Sequence, residues 1–314
     1  MKKRVCFMGT PQFAVGILDA LLACDIDLVA VVTQADKKVG RRQEIQASAV
    51  KIAALKHQIP VFQPEKIGSF GEEIKALDLD LIVTCAYGQF IPERILQTPR
   101  FGAINVHASL LPKYRGGAPI HKAIIQGEVE SGISLMRMVK KMDAGDVLFQ
   151  AACPIYIDDD VQSLHDRLME LGSTMIKQHL PKLFDVDLVS YPQDETQVSF
   201  AYNISSNEEF VHFDRPLLNV YNHIRGLHPW PVAHASFESK KVKLYKARML
   251  DHVSDEIPGT VLGLMDDGLA VSAQDGVLLI DELQLEGKKR LSAQAFYQGL
   301  GKTWLKRRFD THEN

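Results

Sequence analysis

No apolar run in this 314-residue chain approaches the roughly twenty residues that a membrane span needs, so none of it is expected to cross a bilayer. The opening, MKKRVCFMGTPQF, carries a few basic residues and a short apolar run. That run stops at Gly9, too soon for a signal-peptide core, and no small-residue cleavage site follows. Cysteine is scarce. Cys6, Cys24, Cys85 and Cys153 lie far apart with no CxxC pair, which offers no disulfide framework and fits reduced thiols in a cytoplasmic protein. Eleven histidines include no HExxH and no pairing with cysteine, so no metal is expected. Charge of one sign is also missing: 36 basic against 39 acidic residues give a net of -3, with no global mark of a polyanion partner. Neither an internal repeat nor a low-complexity tract is present.

What is present reads as a globular α/β chain of two domains, with 46% hydrophobic and 24% charged residues. Short apolar runs at 4–8, 28–33, 79–84 and 101–106 read as buried strands. Amphipathic stretches at 13–23 and 48–57 read as helices between them. That rhythm predicts an open, Rossmann-like, mostly parallel sheet. Residues 132–138 and 147–156 predict two further strands, and 161–184 one long helix. From 190 to 207 the chain turns polar and loses periodicity, which reads as a linker. After a mixed helical stretch at 210–227, short strands separated by Gly and Asp turns predict a smaller β-barrel of the oligonucleotide-binding type. The expected domains are 1–189 and 208–314, joined by 190–207.

The densest chemistry lies between Asn105 and Asp146, in NVHASLLPKYRGGAPI and KKMDAGDVL. Asn105 and His107 stand two apart, so on a strand both side chains share a face and offer an amide and an imidazole to one carbonyl oxygen. Pro112, Gly116 and Gly117 break the strand and let a loop approach a ligand. Asp143, before Ala144 and Gly145, suits a turn; it equally suits a partner that orients His107 and favours its charged form.

Three other segments follow apolar strands. VCFMGTPQFAV is a strand, turn and helix without GxGxxG, so a dinucleotide is not expected there. TQADKKVGRRQEIQ gathers Lys37, Lys38, Arg41 and Arg42 around Gly40, on the side of the sheet where ligands collect, and could grip phosphates. In CAYGQFIP, Gly88 lets backbone approach a flat heterocycle that Phe90 and Ile91 would cover; a plain turn with packed aromatics explains the same residues.

Together these segments resemble the 10-formyltetrahydrofolate-dependent formyltransferases, and FMGTPQFAV, IRGLHPWPVA and ELQLEGKKRLSAQAF resemble the branch acting on methionyl-tRNA. The likeness covers essentially the whole chain. SGIS stands where TGIS is more usual, and His228 where Asn is commoner before Pro-Trp-Pro; neither touches the catalytic trio. The resemblance implies transfer of a formyl group from folate N10 to the α-amino group of methionine on initiator tRNA, by a cytoplasmic monomer without metal. It implies Asn105 and protonated His107 as donors to the oxygen that becomes negative, and Asp143 as the group that keeps His107 charged and accepts or relays the amine proton. It also implies Ser109, Leu110, Leu111 and Pro112, with Tyr87, Gly88, Gln89, Phe90 and Ile91, as folate walls. Lys37, Lys38, Gly40, Arg41 and Arg42 would meet the tRNA acceptor stem, and the barrel the tRNA body. From residue 201 onward, however, 14 basic and 15 acidic residues nearly cancel, so RNA contacts there need segregated patches such as 240–246, 288–290 and 306–308. The same core would also serve an amino-sugar nucleotide formyltransferase or a formyltetrahydrofolate hydrolase.

Overall fold

The computed structural model describes residues 1–39 and 43–312. Its first sheet has seven strands. In chain order, leaving aside a small hairpin, they are β1 (Lys3–Gly9), β2 (Ile26–Val32), β5 (Val61–Phe62), β6 (Leu81–Cys85), β7 (Ala103–His107), β8 (Glu130–Arg137) and β9 (Val147–Pro154); the hairpin strands are β3 (Lys37–Val39) and β4 (Glu44–Gln46). The order across the sheet is β5-β2-β1-β6-β7-β8-β9. Strands through β7 pair in parallel, while β8 pairs antiparallel with both β7 and β9. β1 therefore sits between β2, which follows it directly, and β6, which arrives later. Such a reversal of strand order opens a crevice at the strand C-termini.

β1 and β6 are buried almost throughout, as parallel strands covered on both faces must be. Helix Gln12–Leu22 and helix Val161–His179 pack closely: a Cβ on Gly16 would lie 2.5 Å from Met169 Cγ, and Ser173 Oγ donates to Gly16 O at 2.8 Å. The expected helix over 161–184 ends early. It stops at His179, and a 3-10 turn over Leu180–Phe184 follows, because Pro181 has no N–H to continue the α ladder.

The second sheet is antiparallel, ordered His234–Phe237, Lys240–Leu250, Val277–Leu285, Gly268–Ser272, Val261–Met265, with Leu291–Ser292 beside the third of these. Its two edges meet the same C-terminal segment. Val261 N donates to Arg307 O, and Asp310 N donates to Ser236 O, each at 2.8 Å, which closes the sheet into a small barrel. Phe237 stacks on Trp304 at 3.6 Å inside it, beside Phe296 and Phe309.

The two compact units are not contiguous in sequence. One is Met1–Pro119, Glu130–Pro154 and His165–Tyr202; the other is Ile120–Val129, Ile155–Leu164 and Asn203–Asn314. Two short pieces of the expected first domain thus belong with the barrel unit. Buried Arg225 shows why, donating to Tyr156 O and Asp159 O at 3.0 and 2.7 Å, with Lys122 pairing with Glu208. Most of the expected linker differs as well. Through Tyr202 it forms an edge of the first unit: Tyr191 exchanges two backbone bonds with Val147, and Ala201 N donates to Arg115 O at 2.7 Å.

Candidate active site

Asn105 and His107 leave one face of β7, as their spacing requires. Parallel pairing puts Thr84 of β6 beside Asn105, and Thr84 Oγ1 lies 2.9 Å from Asn105 Oδ1. A hydroxyl has one proton, and Thr84 is also 3.1 Å from Ile104 O; the shorter contact is the one to Asn105. With Oδ1 so engaged, Nδ2 remains to donate, and it has no protein partner among the described residues. His107 is only 5% exposed. Its Nε2 lies 3.0 Å from Tyr114 O, and because a carbonyl only accepts, this nitrogen carries hydrogen. Nδ1 faces Asp143 Oδ2 at 3.8 Å, within reach of charge attraction but too long for a hydrogen bond. Nδ1 is therefore the nitrogen left for reacting atoms.

Asp143 sits in the connection from β8 to β9, at φ +48, a left-handed conformation that Asp tolerates. Its Oδ2 accepts from Gly116 N at 2.9 Å, so it shapes the loop as well as facing His107. Gly145 is obligatory there: a Cβ would lie 1.9 Å from Arg137 O. Gln193, inside the stretch expected to be a linker, donates through Nε2 to Asp143 O and Gly145 O at 2.8 and 2.7 Å. Its Oε1 receives Nε and Nη2 of Arg115 at 3.0 and 2.9 Å. Arg115 is fully buried and also reaches Glu195 at 2.8 Å. Hydrogen bonds from Arg115 and Lys141 hold the Glu195 carboxyl down at about 2. Sequence reading missed Thr84, Gln193 and Glu195. Cross-strand register exposes the first, and nothing in local periodicity exposes the others.

The turn from Ser109 to Pro112 is tied from below. Ser134 Oγ donates to Ser109 O at 2.6 Å and accepts from Leu111 N at 3.1 Å, while Gln150 donates to Leu111 O at 2.8 Å. Leu111 packs with Met136 and Val147. Leu110 lies over Gly132, where a Cβ would come within 2.5 Å of its Cδ2.

The Tyr87–Ile91 segment divides. Tyr87 and Ile91 are core residues packed with Cys6, Met8 and Ile82. Burial pushes the Tyr87 hydroxyl up to about 12, and it has no hydrogen-bond partner among the described residues. Gln89 is occupied by Ile67 N at 2.9 Å. Gly88, at φ +84, and Phe90, 66% exposed, are the members left facing outward. Tyr87 O accepts from Thr10 at 2.8 Å and Gln34 at 2.9 Å, which ties this loop to the end of β1 and the base of the hairpin.

The basic loop is the hairpin β3–β4, with Lys37 opposite Gln46 and Lys38 opposite Ile45. Both lysines are exposed. Gly40, Arg41 and Arg42 lie outside the described residues. In the barrel unit the basic patches are interleaved with carboxylates: Arg290 pairs with Glu282, Lys306 with Glu256 and Arg307 with Glu238. Among the described residues, no group of three or more His, Cys, Asp or Glu could hold a metal ion, and no helix is long and apolar enough to cross a membrane. Burial pushes the Cys6 thiol up to about 12, and all four cysteines are free.

Residues 2–180 match the formyl transferase family, and residues 203–301 match the formyl transferase C-terminal domain. A protein named methionyl-tRNA formyltransferase from Staphylococcus aureus is 44% identical over 303 residues, covering 96% of this chain and 97% of its own. One of the same name from Halalkalibacterium halodurans is 46% identical over 301 residues, 95% of each chain. Among solved structures, an N-formyltransferase from Helicobacter canadensis in complex with folinic acid and dTDP-3-aminofucose shares the fold at a TM-score of 0.69 and 21% identity, over 89% of this chain and 99% of that one. HypX from Aquifex aeolicus in complex with tetrahydrofolic acid aligns at 0.67 and 17%, over 98% of this chain and 49% of its own.

Proposed function

The chain belongs to the formyl transferase family, and from that premise we propose that it moves a formyl group from 10-formyltetrahydrofolate to the α-amino group of methionyl initiator tRNA, as a cytoplasmic enzyme of translation initiation. The observation that carries the chemistry is the shared β7 face of Asn105 and His107, with Asp143 of the β8–β9 connection facing His107 Nδ1 at 3.8 Å. Thr84 fixes the Asn105 amide so that Nδ2 is free to donate. That donor, without a protein partner among the described residues, fits a carbonyl oxygen gaining charge, which is where preorganised hydrogen bonds act most strongly. His107 is locked by Tyr114 O, so only Nδ1 acts on the reacting atoms. A proton reaching Nδ1 from the attacking amine creates a cation facing Asp143 at 3.8 Å, and passing that proton to folate N10 as the formyl C–N10 bond breaks returns His107 to its neutral form. No side-chain nucleophile is needed.

The donor would lie along the Ser109–Pro112 turn, which Ser134 and Gln150 hold rigid, with Gly88 and Phe90 opposite. Lys37 and Lys38, with Arg41 and Arg42 beyond them, would grip acceptor-stem phosphates. That exposed basic hairpin favours a polyanionic acceptor over an amino sugar or water. The test is direct: supply 10-formyltetrahydrofolate with methionyl initiator tRNA, an amino-sugar nucleotide, or water alone. Formylmethionyl-tRNA as the main product supports the reading. Formate release or sugar formylation at comparable rates refutes it.

A further inference from the structure

We propose that Gln193 is a positioning residue for formyl transfer, clamping the two loops that hold the catalytic pair. This rests on the formyl-transfer reading. One loop carries Tyr114, whose carbonyl orients His107, and Gly116, whose N–H holds Asp143. The other carries Asp143 itself. Gln193 is hydrogen-bonded to both: its Oε1 takes two donors from Arg115, and its Nε2 gives to the carbonyls of Asp143 and Gly145.

All the hydrogen-bonding capacity of this one amide is thus spent on the loops. Glu195 repeats the link two residues on, joining Arg115 to Lys141 of the Asp143 loop. Backbone pairing of Arg115 with Ser199 O and of Ala201 with Arg115 O continues the strap. The strap matters because His107 and Asp143 do not hydrogen-bond to each other. Their 3.8 Å separation is set by what holds the Asp143 loop against the Tyr114–Gly116 loop that orients His107, not by a direct bond. Misplacing a catalytic group by about an ångström costs on the order of 100-fold in rate. Arg115 is fully buried and its Nη1 has no hydrogen-bond partner among the described residues, so losing Gln193 leaves more of its guanidinium unsatisfied.

Two substitutions separate fastening from folding. Gln193→Ala removes both halves of the clamp. Gln193→Glu keeps an acceptor for Arg115 but replaces the donor with an oxygen that repels the Asp143 and Gly145 carbonyls. Steady-state formylation of methionyl-tRNA, with Tm measured alongside, gives the readout. Both variants should lose kcat by roughly tenfold or more with KM for the folate within about twofold, because the defect lies in the transition state. Gln193→Glu should keep a Tm nearer the parent than Gln193→Ala does. A Gln193→Glu enzyme with parental kcat overturns the proposal, as does a loss that follows Tm in both variants. If the parent protein itself makes no formylmethionyl-tRNA, the functional reading fails before Gln193 is tested.

Discussion

Thr84 does at the residue scale what no motif announces: by holding Oδ1 it fixes which end of the Asn105 amide is left to donate. Thr84→Val keeps the shape and removes the hydroxyl, so the amide can turn over. The expected result is a kcat lower by about tenfold, near the 1.4 kcal/mol of one orienting hydrogen bond. A change under about twofold would show that Asn105 is held some other way. The i, i+2 spacing made Asn105 and His107 legible as a pair, since strand geometry alone puts them on one face. The commitment of His107 Nε2 to Tyr114 O was not legible, because it depends on how the loop after the strand folds back.

At the element scale, the connection between β8 and β9 has no spare room. Gly145→Ala puts a methyl against Arg137 O and must displace the Asp143 loop. We expect it to lower kcat by about two orders of magnitude, as a misplaced catalytic group would; a parental rate would mean that Asp143 need not be fixed. The basic hairpin offers a separate check. Replacing Lys37 and Lys38 by Ala should raise KM for tRNA and leave KM for folate unchanged. It should also flatten the salt dependence of tRNA binding, by roughly one unit of slope for each phosphate no longer neutralised. Equal effects on both substrates would remove the hairpin from the tRNA site. The longer strands of the first sheet and its helices at 12–22, 49–56 and 161–179 came through in the sequence because apolar runs or helical period mark them; the two-residue β5 and the polar hairpin β3–β4 did not. The strap at 190–202 did not, since an edge segment bonded through backbone and polar side chains has no hydrophobic period.

At the scale of the whole molecule, the barrel unit draws on 120–129 and 155–164 as well as 203–314. A fragment ending at Ser206 would strand those pieces: Lys122 loses Glu208, and the carbonyls of Tyr156 and Asp159 lose Arg225. It should therefore melt lower than the full chain, beyond any loss of tRNA binding, and an unchanged Tm would contradict this division. Long-range pairing of this kind is not written in local pattern, which is why the sequence suggested contiguous domains. The barrel unit also carries an acid limit. Burial holds His223 down at about 4 from its ordinary 6.5, while Nε2 donates to Glu208 O at 2.8 Å. Between those values the unfolded chain binds the extra proton, so stability should fall as pH drops from 6.5 towards 4. His223→Gln, which keeps an N–H donor but cannot titrate, should flatten Tm across that window; an unchanged slope would assign the acid loss to other groups.

Formylation of methionyl-tRNA by this chain should depend on Asn105 and His107 of β7 and on Asp143 facing His107. The single-turnover rate of formylmethionyl-tRNA formation by His107→Ala, at saturating 10-formyltetrahydrofolate, tests it most directly. We expect a rate lower by about 100-fold or more with folate affinity unchanged. A rate within about threefold of the parent, with both substrates bound normally, would contradict it.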